Sequence, residues 1–422
     1  MVNRPPLLRA LAPALILTAL LLAARIWSIP TLADPTGAPL PDGLRLHTPP
    51  LYFLLTPLFS IWDGVSLLSM DRLKGFLWGM GLLYLVWRIV RPRQPAGSPL
   101  RVLGREALAF VLSLLGFVLF VGAGILWHRP MLALTGADPG QMVVDLHSHS
   151  NVSHDVKGTL MKGFDVEASR RWHGRAGFDA FFVTDHNTTA GWRAAPVAAA
   201  GLPSACPGIE VSAWRAHIVL LGDTTDVRQQ EYDGSLNKVL SLLRDSRSRY
   251  GALAIASLPE YSRSLWPDLD SLVAAGVAGF EIVNASPKAA DFPIERRDSI
   301  IRLARSHGLL LAGVSDAHGW GATSLDWMLV PVTGWRDLPN PCPALLDRLG
   351  HPDDAIRIVE RHHLIPESRW PRLLTPIGVV WEEWRSLDLF RLLGWLAWIW
   401  GVALVGLRRR GLLARSDHST AD

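Results

Sequence analysis

The sequence predicts an α/β domain with a largely parallel sheet, flanked by transmembrane α-helices. Two observations lead to this prediction. Between about residues 138 and 365, short β-like runs alternate with helical stretches, which favours parallel strands joined by crossover helices, in a barrel or a doubly wound sheet. The chain as a whole is also strongly apolar: 49% of its 422 residues are hydrophobic and 18 are Trp, which indicates membrane spans.

Apolar runs supply the candidate spans. Four runs are apolar enough to cross a bilayer, at residues 7–27, 75–90, 107–127 and 389–407. A cleavable signal peptide is the alternative for the first run, but its length and the spans that follow favour an uncleaved anchor. A further run at 51–70 is interrupted by Pro57, Asp63 and Gly64, so it predicts a poor span, a re-entrant piece or an interfacial segment.

These runs and the α/β region divide the chain into four parts. They are an N-terminal membrane region with three or four apolar helices (1–137), the α/β domain (138–365), a linker or interfacial segment (366–388), and a transmembrane helix with a basic tail (389–422). Short basic flanks tend to stay in the cytoplasm. Because 88–105 and 408–415 are both basic, we expect the α/β domain on the outer face of a bacterial-type cytoplasmic membrane.

Charge and cysteine content exclude other classes of protein. The net charge of +4 comes with arginines clustered beside apolar runs, and the α/β region has no long basic stretch interleaved with aromatics. Nucleic acid is therefore not an expected partner. The two cysteines, Cys206 and Cys342, form no CxxC pair, which excludes a cysteine-based zinc site. Whether they form a disulfide depends on their separation, which the sequence leaves open.

The stretch VVDLHSHS, residues 143–150, carries the strongest indication of chemistry. In a strand, residues two apart share a face, so Asp145, His147 and His149 project together from the end of a buried strand. Two imidazoles on one face are a metal-ligand arrangement. An HxH pair alone fits two surface histidines equally well, so the interpretation depends on the rest of the domain.

Other predicted strands also end in residues that are able to bind metal. In chain order these residues are His154, Asp155, Asp185, His186, Glu210, His217, Asp316 and His318. Active sites of β/α barrels are assembled at such strand ends. Nitrogen and oxygen donors without Cys suit Zn, Mn or Fe, and a set of this kind can hold two or three ions about 3.5–4 Å apart that clamp a phosphoryl group.

These pieces resemble the PHP domain (polymerase and histidinol phosphatase). The matching motifs are DLHSHS, VTDHN, GIE, HIVLLG and SDAH, in family order, and they cover roughly 141–320, about half of the chain. The resemblance implies a distorted seven-stranded (β/α)7 barrel with metal-dependent phosphoesterase activity. It also implies three sets of metal ligands: His147 and His149 with Asp316; Glu210, bridging to a second ion that His217 also binds; and His186 and His318, completed by His154 or Asp155.

One departure from the family pattern affects the second ion. The family has an Ala-His-Pro turn after its fifth strand, and the histidine of that turn is a ligand. Here residues 256–259 read Ala-Ser-Leu-Pro, so two ions, or three with one weakly held, are expected, and Glu260 is the nearest replacement donor. The expected catalytic residues are Asp185, Asp316 and His318, of which Asp185 orients a ligand histidine instead of binding metal.

The expected function is hydrolysis of a phosphomonoester or phosphodiester by a membrane-anchored enzyme with two or three divalent ions. Its expected partners are the phosphorylated substrate and the lipid bilayer. There are two alternatives: a non-catalytic metal-binding module for sensing or scaffolding, which the missing histidine favours, and a metal-dependent amidohydrolase, which the same ligands would serve. Five other histidines lie away from the strand ends and are predicted to be solvated: His173, His307, His351, His362 and His363.

Overall fold

The computed structural model describes residues 7–90, 98–199, 201–410 and 412, without the side chains of 99, 260–263 and 291. The helices are α1 (Leu7–Ile26), α2 (Pro50–Leu54), α3 (Thr56–Ser66), α4 (Met70–Val90), α5 (Pro99–Leu126), α6 (His154–Lys157), α7 (Val166–Ala176), α8 (Ala190–Arg193), α9 (Gln229–Tyr232), α10 (Leu236–Ser248), α11 (Leu258–Leu265), α12 (Leu269–Ala274), α13 (Ile294–His307), α14 (Cys342–Leu349), α15 (Thr375–Arg385) and α16 (Leu389–Arg409). The strands are β1 (Leu32–Ala33), β2 (Arg45–His47), β3 (Ala133–Thr135), β4 (Gln141–Ser148), β5 (Ala180–Val183), β6 (Ser204–Ala213), β7 (Ala216–Leu221), β8 (Leu253–Ala256), β9 (Gly279–Asn284), β10 (Leu310–Val314), β11 (Asp326–Pro331) and β12 (Arg357–Arg361). Short 3-10 turns occupy Trp266–Asp268, Ala289–Asp291, Trp335–Asp337 and Arg372–Leu374.

Within the described part of the chain, ten strands form one sheet, in the order β1-β12-β11-β4-β5-β6-β7-β8-β9-β10. Strands β4 to β6 are parallel, as are β8 to β10, whereas the remaining pairings are antiparallel. The sheet curls until the ends of β4 and β10 meet, where Asp316 N donates to His147 O (2.9 Å) and His149 N donates to Ala317 O (3.0 Å). The α/β class is confirmed, but the sheet is a curled half-barrel and not clearly the expected seven-stranded barrel.

The step from β6 to β7 explains why the sheet is less parallel than predicted. Ser212 pairs with His217 and Ala213 with Ala216, so only two residues connect the strands, and the first of them, Trp214, has a positive φ of 54°. A parallel connection needs about a dozen residues or more. These two neighbouring runs can therefore form only a hairpin.

Four helices of the described residues, α1, α4, α5 and α16, are long and apolar enough to cross a membrane. They coincide with the four runs that the sequence suggests. The undecided run at 51–70 instead forms α2 and α3, and α3 has only 11 residues. A helix of that length reaches roughly half of the way across a hydrocarbon core.

One end of each candidate span meets the α/β domain or the short helices beside it. At the start of α4, Met70 N donates to Pro287 O (2.9 Å), and just after α5, Arg129 Nη1 donates to Gly321 O (3.5 Å). Helix α1 leads into β1, which pairs with β12, and the start of α16 packs on α2. Arg88 lies at the opposite end of α4, in its last turn.

A buried network of charges joins the helices to the domain. Asp63 of α3 pairs with Arg129 (2.7 Å) and with Arg361 at the end of β12 (3.0 Å). Arg361 also pairs with Glu383 of α15 (3.3 Å), which pairs in turn with Arg391 of α16 (2.8 Å). All five side chains are buried. Because a buried charge is tolerated only when it is paired, this network fixes the helices against β12.

Candidate metal centre

Both faces of strand β4 are buried, and this fixes the direction in which its histidines point. Met142, Val144 and Leu146 pack into one hydrophobic cluster, whereas Val143 packs into another. The alternation of a strand then places His147 on the same side as Val143, at the strand end. This is the arrangement that the HxH pattern predicts.

Two residues near these histidines have strained backbones. Asp316, just after β10, has a φ of 44°, and Asn187, just after His186, has a φ of 54°. Residues other than glycine rarely adopt this backbone conformation. It persists where surrounding contacts enforce it, often at functional sites. Here it brings Asp316 Oδ1 to 3.0 Å from His149 Nε2 and 3.5 Å from His147 Nε2.

Three overlapping groups of side chains have ligand atoms close enough together to hold a metal ion. They are His147, His149 and Asp316; His149, Asp155, His186 and His318; and His186, Glu210 and His217. Within each group the ligand atoms lie within 4.8 Å of one another. Because the groups share His149 and His186, they form one continuous centre. His186 is also the third member of the group that contains Glu210 and His217.

The surroundings of Glu210 fit a cation. Its Oε2 atom is buried and accepts no hydrogen bond of good geometry from the described residues. It nevertheless lies 3.2 Å from His147 Nε2, 3.3 Å from His149 Nε2 and 3.0 Å from His186 Nδ1. A carboxylate oxygen and imidazole nitrogens that converge in this way are the donors that Zn, Mn and Fe take in proteins.

Glu281 of β9 orients the first histidine. Its Oε1 atom lies 2.7 Å from His147 Nδ1, so Nδ1 donates to Glu281 and Nε2 is the nitrogen that faces the centre. Ser257, just after β8, donates to Glu281 Oε2 (2.6 Å), and Asn284 Nδ2 donates to the same atom (3.0 Å). These contacts make Glu281 a positioning residue.

We expect Glu281→Gln to weaken metal binding between about 10- and 100-fold, because the charged partner that fixes His147 is lost. Titration of the metal-free protein with Mn or Zn measures the change. Glu360→Gln is the matched control, since Glu360 is a partly buried carboxylate outside the three groups, paired with Arg297 (3.0 Å). Equal affinities of the two variants would contradict the role of Glu281.

The structure favours Asp155 over His154 as the fourth member of the largest group. Asp155 Oδ2 lies 2.6 Å from His318 Nε2 and 3.2 Å from His186 Nε2, and Ser153 Oγ donates to its other oxygen (2.6 Å). His154 is exposed and belongs to none of the three groups, although its ring centroid lies 4.8 Å from that of His186.

Asp185 holds the loop after β4. Its carboxylate accepts from Ser150 N (2.5 Å) and from Ser150 Oγ (2.8 Å), and these are its hydrogen bonds among the described residues. Burial raises the pKa of this carboxyl group. Gly191 packs so closely that a Cβ there would lie 2.1 Å from Asp185 Oδ2. The contacts therefore show Asp185 positioning a loop, and its role in orienting a ligand histidine stays a prediction.

The prediction that His173 is solvated was wrong. His173 is fully buried, with Nε2 at 2.9 Å from Asp145 Oδ2 and Nδ1 at 2.8 Å from Ser169 O. It therefore pairs with the aspartate of the DLHSHS motif, beneath the metal groups. The spacing of Val166, Ser169 and His173 along α7 places them on one buried helix face, which the sequence could have indicated.

The remaining expectations outside the centre have mixed outcomes. His307 and His351 are exposed, as predicted. His362 and His363 are partly buried, and His362 Nε2 lies 3.1 Å from a carboxylate oxygen of α15, so the prediction of solvated side chains was wrong for them. The side chain of Glu260 lies outside the described residues.

Electrostatics adapt the centre to a cation. Burial alone lowers the pKa of His149, but its contacts with Asp316 and Glu210 outweigh burial and raise that pKa to about 10. Nearby carboxylates likewise raise the pKa of His147 well above its ordinary value, against the effect of burial. Burial opposes ionisation of Glu210, yet the surrounding histidines hold its pKa well below the usual range. The metal-free centre thus retains protons that a metal ion would replace.

We expect metal binding to release protons and to strengthen as pH rises. A ligand nitrogen must lose its proton to bind metal, and the raised pKa of His149, about 10, keeps it protonated throughout the neutral range. Apparent affinity should rise about tenfold per pH unit for each proton released. Calorimetric titration between pH 6 and 8, in buffers of different protonation enthalpy, counts these protons; binding without proton release would contradict the prediction.

The metal groups line a cavity of about 860 Å³. Asp316, His318 and Glu210 belong to its lining, as does Lys288. Residues of α3, α4 and α5 also belong to the lining. A cavity of this size suits a ligand considerably larger than a phosphoryl group.

Several solved structures are similar to this chain. A protein described as a metal-dependent phosphoesterase, from Bifidobacterium adolescentis, is 17% identical with a TM-score of 0.33, and the match covers 58% of this chain and 97% of that one. PsfC from Pseudomonas syringae is 18% identical with a TM-score of 0.36, covering 57% and 95%. An amidohydrolase from Chromobacterium violaceum, solved with sulfate and no metal, is 22% identical with a TM-score of 0.30, covering 50% and 99%. No family model matches the sequence, and neither does any curated protein. At such TM-scores the likeness does not bear on the activity of this chain.

Proposed function

We propose that the protein is a membrane-anchored, metal-dependent phosphoesterase that hydrolyses a phosphomonoester or a phosphodiester. The observation that carries the proposal is the continuous centre of three His and carboxylate groups at the base of one cavity. Two or three adjacent cations suit a phosphoryl group, whose charge is spread over several oxygens. The resemblance of the motifs to the PHP domain supports the same reaction.

The chain's own residues prepare the site. Glu281 fixes the tautomer of His147, and Asp316 O accepts from His318 Nδ1 (2.7 Å), which directs His318 Nε2 towards Asp155. When bound, divalent ions would act as Lewis acids and lower the pKa of a coordinated water towards about 7. Lys288 lies in the cavity wall and adds positive charge where an anionic substrate would enter.

Hydrolysis assays of the purified full-length protein test the proposal. Chromogenic phosphomonoester, phosphodiester and anilide substrates are offered with Mn, Zn or Fe, before and after chelation. Metal-dependent release from one of the phosphoesters is the expected result, and the preferred ester narrows the substrate. Release from the anilide alone would favour an amidohydrolase. Bound metal without turnover of any substrate would favour the non-catalytic module.

We also propose that the α/β domain faces the outside of a bacterial-type cytoplasmic membrane. The last turn of α4 carries Arg88 and the last turn of α16 carries Arg408 and Arg409, as expected for cytoplasmic ends. Cys206 and Cys342 form a disulfide, with Cα atoms 5.5 Å apart. Disulfides persist in oxidising compartments, which supports the same orientation.

Alkylation of the protein extracted from cells tests this orientation. We expect a maleimide polymer to add nothing to the denatured protein unless a reductant is applied first, and then to add two polymers, because both thiols are oxidised. A Cys206→Ser variant should take up one polymer without reductant. Two free thiols in the untreated protein would argue for a cytoplasmic domain.

A further inference from the structure

We propose that the substrate is a membrane lipid whose phosphoester binds at the metal centre while its hydrocarbon chain lies between α3, α4 and α5. This inference rests on the proposed phosphoesterase function and adds the class of substrate. The cavity is the first observation in its favour. It joins the metal ligands to a wall contributed by Trp62 and Val65 of α3, Leu73 and Phe76 of α4, and Val121 and Ile125 of α5.

The apolar wall adjoins the candidate membrane spans. Its members belong to, or pack beside, helices that are long and apolar enough to cross a membrane, and they lie at the ends of those helices that meet the domain. Ile125 is 42% exposed in spite of its place in the wall. Apolar surface that stays open beside a membrane span is suited to a hydrocarbon chain.

The domain turns its reactive face to the helices. The loops that follow β9 and β10 contact the membrane helices: Pro287 O accepts from Met70 N (2.9 Å), and a Cβ on Gly321 would lie 3.1 Å from Ile125 Cα. The loop after β10 also contains His318, a member of the metal centre. A substrate embedded in the bilayer could therefore bring its head group to the ligands without leaving the membrane.

The cavity combines surfaces suited to a head group and to a chain. Metal ligands and Lys288 contribute to its lining, and so do aromatic and aliphatic residues of α3, α4 and α5. Helix α3 is too short to cross the bilayer and is tied by the buried carboxylate of Asp63 to Arg129 and Arg361. It is thereby held as a fixed wall between the domain and the spans. A cavity with both polar and apolar lining matches an amphipathic ester, not a small soluble phosphate.

The test compares alkyl phosphates of increasing length, below their micelle concentrations, with the full-length protein in an amphipathic polymer. We expect kcat/KM to rise by at least about 100-fold from ethyl to decyl phosphate, since each buried methylene contributes up to about fourfold. Val121→Trp fills the space beside the apolar wall. It should reduce the ratio of kcat/KM for decyl phosphate to kcat/KM for ethyl phosphate about tenfold. Val118→Trp, on the lipid-exposed surface of the same helix and outside the cavity wall, should leave it unchanged.

A second readout does not depend on turnover. A decyl phosphate carrying a diazirine on its chain should, on illumination, label peptides of α3, α4 and α5, and decyl phosphate but not ethyl phosphate should prevent the labelling. Metal-dependent hydrolysis that is independent of chain length would overturn the lipid assignment and leave the phosphoesterase in place. Specific labelling without hydrolysis of any ester would keep the lipid site and refute the phosphoesterase. Labelling spread over the outer surfaces of the helices would exclude the site.

Discussion

A His147→Ala/His149→Ala double variant should bind less metal than the wild type and lose its hydrolytic activity. His147 and His149 belong to one group together, and His149 also belongs to a second group. The change therefore removes ligands from two of the three groups. The loss should exceed the roughly 10- to 100-fold that follows removal of a supporting hydrogen bond to a ligand. Metal content by mass spectrometry and metal-dependent turnover measure both effects in the same sample.

The control for this variant is His307→Ala/His351→Ala. Both of these histidines are exposed and lie outside the three groups. We expect this variant to keep the metal content and turnover of the wild type. If the two double variants retained equal metal, the assignment of His147 and His149 as ligands would be wrong.

Asp63→Ala should destabilise the protein by about 3–5 kcal/mol, because it leaves Arg129 and Arg361 buried without their shared partner. Tyr52 would also lose the acceptor of its hydroxyl group, at 3.0 Å. The free energy of unfolding in mixed micelles, followed by circular dichroism during titration with a denaturing detergent, measures the loss.

Asp71→Ala serves as the comparison for this substitution. Asp71 lies in the first turn of α4 and pairs with Arg372 (3.0 Å), but both side chains are largely exposed. Exposed ion pairs contribute about 0–1 kcal/mol. A loss of stability as small for Asp63→Ala as for Asp71→Ala would show that the buried network does not hold the helices to the domain.

The sequence predicts which candidate ligands lie close together better than it predicts the direction of the strands. His147 and His149 are related by the period of a strand, and Glu210 and His217 by a hairpin, so short-range geometry is enough to place them. The partner of His173 lies 28 residues away, across α7 and β4, and no local pattern identifies it. The curvature and mixed direction of the sheet likewise depend on packing between distant elements.

The arginines on the domain side of the membrane show another limit of reading charge from sequence. Taken from the sequence alone, Arg372, Arg385 and Arg391 argue against the proposed orientation, because positive charge favours the cytoplasm. In the structure each pairs with a carboxylate, at 3.0, 2.9 and 2.8 Å respectively. Paired charge of this kind contributes little net positive charge to the flank, and the pairing is visible only in three dimensions.

The outermost strand of the sheet, β1, has a consequence for how the protein is made. β1 is synthesised directly after the first apolar helix, but it pairs with β12, where Leu32 lies opposite Arg361 and Thr31 O accepts from His362 N (2.9 Å). Contacts between such distant parts of a chain form slowly. During translation the edge of β12 therefore stays open until the tethered N-terminal strand reaches it. A version of the domain expressed without both the first helix and β1 would keep that edge unpaired, and open edges of this kind pair with other chains.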